Sequence, residues 1–292
     1  LNHVKTTLAP GLWFVGVPIG TARDITLRAL DVLASADVLA AEDTRSLRKL
    51  MDIHGVPLEG RRIEALHEHS KDTQVARLVA RAADESVAYA SEAGMPLIAD
   101  PGFELGRAAR AAGVPVTCAP GPSAVLTALV LGGLPTDAFH FGGFLPATRS
   151  ARLRALEGLA GIDGTLVLYE SPKRLGALLA DAVERLGADR QTAVCRELTK
   201  RFEEVKTGSL QEMAEFYSRE TPKGEIVVLI GRAEAQAVRE IDIDDALVSA
   251  LRDMTVKDAA SFVAESLGLP RRRVYQRALD ISRDMKRDDG SD

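Results

Sequence analysis

The sequence predicts an α/β protein of two lobes followed by a small helical domain. Three observations carry that prediction. Short apolar runs alternate with helical patterns from residue 12 to about residue 232, turn residues collect at 132–137, and the pattern over residues 243–284 is purely helical. The chain has 292 residues, enough for roughly two domains at ~150 residues each. Hydrophobic residues make up 46% of it and aromatic residues only 4%, so the core is aliphatic. The net charge of −5 offers no overall field to a polyanion, and any nucleic-acid surface has to be a local patch.

Residues 12–17 form the first strand-like run, and residues 25–36 follow with apolar positions at helical spacing. Residues 38–41 read as a short buried strand. The same alternation gives strands at 86–91 and 114–119, and helices at 73–83, 103–112 and 124–131. Gly132-Gly133-Leu134-Pro135-Thr136-Asp137 then breaks the pattern, which sets a first lobe at 11–132 and a second at 133–232. In the second lobe, strands are expected at 165–169, 191–196 and 225–231, and a helix at 173–186. In the terminal domain, Thr255 and Asp258 have capping-box spacing for a helix over 256–267. Gly268-Leu269-Pro270 stops that helix, and Pro270 suits the first turn of a last helix running through Ile281. The result is a helix–turn–helix pattern with a frayed tail over 287–292.

In α/β sheets ligands gather at the carboxyl ends of strands, and three loops there are unusual. The first is Gly16-Val17-Pro18-Ile19-Gly20-Thr21, which lets backbone approach a ligand. It is not G-x-G-x-x-G, and no G-x-x-x-x-G-K-[ST] occurs, which disfavours a nicotinamide enzyme or a P-loop nucleotidase. The second runs from Ser91 to Gly102 and holds Glu92 and Asp100 with two glycines and two prolines. The third is Pro120-Gly121-Pro122-Ser123-Ala124, whose helix-start amides suit a carboxylate or ribose hydroxyls. Three such loops in one lobe point to one shared site. Cys118 and Cys195 are expected as buried, reduced thiols, because one distant pair is no disulfide framework. His67-Glu68-His69 lacks a third-ligand pattern, so no metal is expected. The amino-terminal stretch has no signal pattern and no apolar run approaches the ~20 residues of a membrane span, so the cytoplasm is the expected compartment.

The ordered set 15–20, Asp24-Ile25-Thr26-Leu27-Arg28-Ala29-Leu30, Ala41-Glu42-Asp43-Thr44-Arg45, 91–102 and 120–124 resembles the tetrapyrrole-methylase superfamily. Gly143-Phe144-Leu145-Pro146, Tyr169-Glu170-Ser171-Pro172-Lys173-Arg174-Leu175 and Arg196-Glu197-Leu198-Thr199-Lys200 narrow the resemblance to the bacterial 16S rRNA (cytidine-1402-2′-O)-methyltransferase family. It covers residues 11–232 and the terminal helical domain. One departure is Glu92-Ala93-Gly94-Met95-Pro96, where that family usually has Asp-Ala-Gly-Thr-Pro: the acid survives and a hydroxyl is lost. The resemblance implies the class III methyltransferase fold, with S-adenosylmethionine held in a cleft between the lobes, a homodimer, and 16S rRNA within the small ribosomal subunit as substrate. It places Pro18, Glu92, Gly94, Met95, Leu97, Ser123, Ala124 and Tyr169 at the cofactor, with residues 222–224 as further contacts.

A ribose hydroxyl is a poor nucleophile while protonated, so a base or a cation near the developing alkoxide should help. Glu42, Asp100, Glu170 and Lys200 are the candidates carried forward, with Asp43 and Glu197 nearby. For Glu170 and Glu197, a structural pairing with Arg174 or Arg196 is the rival reading. Arg45, Lys173 and Arg174, with Arg48, Lys49, Lys200 and Arg201, are candidate phosphate contacts, although a solvated helix face also accounts for Arg48 and Lys49. Residues 271–287 carry seven Lys or Arg against Asp280 and Asp284, led by Arg271, Arg272, Arg273 and Arg277, with Tyr275 available to stack on a base. RNA contact and packing on a lobe or a dimer mate are the two readings of that helix. Two other functions remain open: methylation of a small tetrapyrrole, and a non-catalytic RNA- or ribosome-binding protein on the same fold.

Overall fold

The computed structural model describes residues 3–67, 70–232, 240–267 and 269–288. It divides into two compact units, one ending at Arg232 and one beginning at Ala233, and the first contains both lobes.

The first lobe is built from β1 (Gly11–Val15), α1 (Leu27–Ser35), β2 (Val38–Ala41), α2 (Thr44–Ile53), β3 (Ile63–Ala65), α3 (Asp72–Ala82), β4 (Ser86–Ala90), α4 (Phe103–Ala111), β5 (Val116–Ala119) and α5 (Ala124–Leu131). Its strands are all parallel, in the order β3-β2-β4-β1-β5. β2 and β4 are buried at every residue, as expected of strands covered by helices on both faces. One core layer is centred on Leu30, Leu33, Leu39 and Met51, and the other on Leu12, Phe14, Leu78 and Tyr89. This order makes β4, β1 and β5 neighbours. The three loops singled out from the sequence therefore leave three adjacent strands at the same sheet edge.

The second lobe comprises β6 (Phe139–Phe144), α6 (Arg149–Leu159), β7 (Thr165–Glu170), α7 (Pro172–Leu186), β8 (Gln191–Arg196), β9 (Glu204–Ser209), α8 (Leu210–Arg219) and β10 (Ile226–Ile230). Its sheet is mixed, in the order β6-β7-β10-β8-β9. The last strand in sequence, β10, enters the middle of the sheet antiparallel to both β7 and β8. That placement brings the turn before it, Gly224-Glu225, level with the carboxyl end of β7, since Ile226 pairs with Glu170. Cys195 on β8 is buried as expected, whereas Cys118 on the edge strand β5 is half-buried; both are free thiols.

The second unit has α9 (Glu240–Ala250), α10 (Val256–Ser266) and α11 (Arg271–Asp288) around Leu247, Ala260, Val263, Val274 and Ala278. Thr255 caps α10 by accepting the Asp258 amide at 3.3 Å, and its hydroxyl donates to the Asp258 carboxylate at 2.7 Å. The final helix continues past Ile281 to Asp288, so part of the stretch read as a tail is helical. Among the described residues no helix is long and apolar enough to cross a membrane.

Candidate active site

The loops after β1, β4 and β5 lock together through their backbones. The Val17 amide donates to Gly94 O at 2.9 Å and the Gly94 amide returns to Val17 O at 3.1 Å. The Gly121 amide donates to the Met95 sulfur at 3.2 Å, so a thioether is the acceptor there. Ser123 N-caps α5 by accepting the Leu126 amide. Across the cleft, the Thr21 amide donates to Thr199 Oγ1 at 3.1 Å and the Thr21 hydroxyl to Thr199 O, joining the first loop to the turn after β8.

Leu97, Ala99, Glu197 and Thr199 all have positive φ, and among the described non-glycine residues only Glu59 joins them. Backbone held in that region costs on the order of 1–3 kcal/mol per residue and gathers where function requires it. Here it gathers on the two facing loops.

Between the lobes lies a cavity of about 350 Å³. Its first-lobe wall is Ile19, 93–95, 98–100, Ser123 and Ala124; its second-lobe wall is Phe144, 169–172, Leu198 and 224–227. The lining is mainly apolar with few polar groups, the usual composition of a small-molecule site. Phe141 and Phe144 pack edge-on against Tyr169, with ring centroids 5.0 and 5.6 Å away. Burial, reinforced by Asp100 and Glu225, pushes the Tyr169 phenol up to about 12.

Asp100 is the electrostatic focus. Burial, then the Glu42, Glu92 and Glu225 carboxylates, push its carboxyl up to about 7. Glu42 accepts the Glu92 amide at 3.1 Å, which fastens the end of β2 to the Asp100 loop. Lys200 sits between Glu197 at 3.0 Å and Glu225 at 2.7 Å. Burial pulls its ammonium down, but the bonds to Glu225 and Glu197 outweigh this and leave it raised, hence charged.

Of the residues assigned from sequence, Gly94, Met95, Ser123, Ala124, Tyr169, Asp100 and Glu170 line the cavity. Pro18, Glu92 and Leu97 do not. Leu97 instead turns toward Phe14 and the glycines of the α4 start, filling core behind the loop, and Glu92 contributes its amide to Glu42. For Glu170 the geometry supplies the structural pairing with Arg174. The Glu170 side chain is fully buried, one oxygen accepting the Ser171 amide at 2.7 Å and the other lying 3.2 Å from Arg174. Arg174 also donates to Leu145 O at 2.6 Å, which makes the pair a staple between the β7–α7 junction and the segment after β6. Arg174 is therefore not a free phosphate ligand, whereas Lys173 beside it is exposed.

Arg277 is likewise committed, with two bonds to Asp244 at 2.7 and 2.6 Å. Arg271, Arg272, Arg273 and Tyr275 are exposed on the first turns of α11. Glu68 and His69 lie outside the described residues, as do the side chains at 283, 286 and 287. The group that sequence reasoning missed is Glu225, whose place depends on the central, antiparallel insertion of β10.

Comparison with known proteins fits this architecture. The model of the tetrapyrrole (corrin/porphyrin) methylases matches residues 11–214, and that of the RsmI C-terminal HTH domain matches residues 237–282. The chain is 46% identical to a ribosomal RNA small subunit methyltransferase I of Mesorhizobium japonicum, over 94% of this chain and 93% of that protein. It is 39% identical to the Vibrio cholerae protein of the same name, over 96% and 98%. Among solved structures, diphthine synthase superposes with a TM-score of 0.58 at 18% identity, over 75% of this chain and 89% of that one. Uroporphyrin-III-C-methyltransferase from Thermus thermophilus gives 0.54 at 24%, over 77% and 95%. The structural likenesses show the fold, and the sequence relatives show the branch: the chain belongs to the tetrapyrrole methylases, in the family of ribosomal RNA small subunit methyltransferase I.

Proposed function

We propose that this methyltransferase transfers the methyl group of S-adenosylmethionine to the ribose 2′-hydroxyl of a cytidine, position 1402, in 16S rRNA of the small ribosomal subunit. The observation that carries the chemistry is Asp100, a carboxyl raised to about 7 on the wall of a mainly apolar cavity. A general base works best with a pKa near the operating pH, and few carboxylates reach it.

The cavity suits this cofactor. Asp100 and Glu225 bring carboxylates, and no lysine or arginine stands in the lining, to a space walled mainly by apolar groups such as Ile19, Leu198 and Val227, which favours a cationic sulfonium over a phosphorylated cofactor. Gly94, Met95, Ser123, Ala124 and Tyr169 would hold it. When bound, S-adenosylmethionine supplies a methyl group already activated by its sulfonium. The protein's part is positioning and proton removal. Asp100 accepts the hydroxyl proton as the ribose oxygen gains the methyl. Glu42 fixes the Asp100 loop and, with Glu92 and Glu225, keeps the carboxyl basic enough to take that proton. Lys200, in the same lobe, holds Glu225 in place.

In the first unit Arg45 and Lys173, and in the second Arg271–Arg273, are exposed cations offered to RNA. The cytoplasm is the compartment this substrate requires. Purified protein with labelled S-adenosylmethionine should methylate undermethylated small subunits, and nucleoside analysis should find 2′-O-methylcytidine. Label entering a corrin precursor instead would replace the substrate.

The same reading includes a homodimer. α5 carries no charged residue and leaves Val130 81% and Leu126 56% exposed, an apolar face that a second copy would cover. Val130→Glu should convert a dimer to a monomer in sedimentation equilibrium, and a parent protein that sediments as a monomer would refute the assembly.

A further inference from the structure

A second, open recess of about 570 Å³ lies between α2 and the segment entering β3, outside the cavity described above. Arg45, Arg48 and Lys49 reach it from α2, where spacings of three and four residues put side chains on one face. Arg61 and Arg62 reach it from the other side, and Asp52 is the single carboxylate in the lining. Asp52 lies 3.5 Å from Arg48 with both side chains more than half exposed, a pairing that neutralises little.

Arg61 gives the recess a fixed charge. Its guanidinium donates to the carbonyls of Leu58, Leu33, Ala36 and Pro57 at 2.7 to 2.9 Å and has no carboxylate among its hydrogen-bond partners. Burial lowers its pKa, partly offset by the charges of Glu59 and Asp37, and an arginine stays protonated, so the structure anchors a cation beneath the floor through backbone carbonyls. The amides at the α2 start are already taken by Asp43, so the recess depends on side-chain charge and not on a helix terminus.

A cluster of five cations around one acid, in a chain of net charge −5, is the local patch that an anionic partner requires. Its position selects the partner. Arg45 stands three residues after Glu42, whose carboxylate fastens the Asp100 loop. A long polyanion engaged at the cleft would pass within reach, and its backbone would meet charge at successive points along α2. We propose that this recess binds phosphodiesters of the substrate RNA strand next to the methylated nucleotide. The proposal rests on RNA being the substrate.

The test is the triple variant Arg45→Gln, Lys49→Gln, Arg62→Gln, which leaves the Arg61 anchor intact. Its KM for the RNA should rise at least severalfold with unchanged S-adenosylmethionine affinity by calorimetry. Loss of about three phosphate contacts should make the plot of log affinity against log salt shallower by roughly 2. Filter binding of the same RNA reads the slope without turnover. A parent protein that binds this RNA but methylates none of it would therefore sink the functional reading and leave the recess to be judged on its slope. Parental KM and parental slope in the triple variant overturn the proposal. So does saturable pyrophosphate binding at the recess with an unchanged RNA slope, which would mark a site for a small phosphorylated molecule.

Discussion

Asp100→Asn should abolish most methyl transfer, by about 10²- to 10⁴-fold, because it removes the proton acceptor without changing the shape of the cavity. Cofactor affinity by calorimetry should fall far less than the rate, because Glu225 keeps a carboxylate in the lining. The pH profile gives the sharper test. Only the ionised carboxylate accepts a proton, so the parental rate should climb as pH rises through about 7 and then level off. The residual rate of the variant should lack that limb. Glu92 is exposed and helps to hold the carboxyl up, so Glu92→Gln should move the limb to lower pH.

Stability should move the opposite way to activity. The folded-state pKa lies above the ordinary value of 3.8, so between about pH 4 and 7 the folded protein keeps a proton that the unfolded chain has lost. Stability therefore falls as pH rises through that window, and above it the parent carries the full cost of a poorly solvated charge. Asn carries none. The variant should melt above the parent at pH 8, by an amount on the order of 1 kcal/mol after allowing for the solvent that still reaches the group. The two should converge near pH 4. An inactive variant that is destabilised equally at every pH would mean that Asp100 is structural.

How much of this was legible in the sequence depends on where each residue sits in a sheet. Central strands such as β2, β4 and β7 announce themselves as unbroken apolar runs because helices cover both faces. The strands not anticipated, β3, β6 and β9, all lie at sheet edges. Each is largely exposed or half-buried, and β6 is further interrupted by a register shift at Gly142. The three ligand loops were readable because close backbone approach demands glycine and proline, which leave a mark in composition. Burial of a charge leaves none. Glu170 and Asp100 looked alike as carboxylates beyond strand ends, and only packing separates a fully buried Glu170 paired with Arg174 from a half-buried Asp100 surrounded by other carboxylates. Arg277 and Asp244 are 33 residues apart, so no local pattern could pair them.

Gly16→Ala should disable the site through sterics alone. A Cβ on Gly16 would stand 2.6 Å from the Gly121 nitrogen, 2.7 Å from its Cα and 2.8 Å from the Met95 sulfur. Two of these neighbours are backbone that cannot swing aside, and a Cβ on Gly121 would meet Gly16 backbone at 2.8 to 2.9 Å in return. Gly16 is not among the positive-φ glycines, so the clash and not the torsion sets the cost. The first and third loops must separate, which strains the Gly16–Ala119 and Gly121–Met95 hydrogen bonds and the Val17–Gly94 pairing. Overpacking of this kind costs roughly 1–3 kcal/mol of stability. The larger consequence falls on function, since Gly94 and Met95 form cavity wall and a displacement near 1 Å costs about 100-fold in rate. Gly158→Ala is the matched control. Its Cβ on α6 would meet nothing within 4 Å, and replacing glycine by alanine in a helix gains roughly 0.5–1 kcal/mol. The same added methyl should thus stabilise one position and inactivate the other, read by melting temperature and by methyl incorporation. A Gly16→Ala protein with parental cofactor affinity and turnover would show that the loops tolerate separation and that their close approach is not what shapes the site.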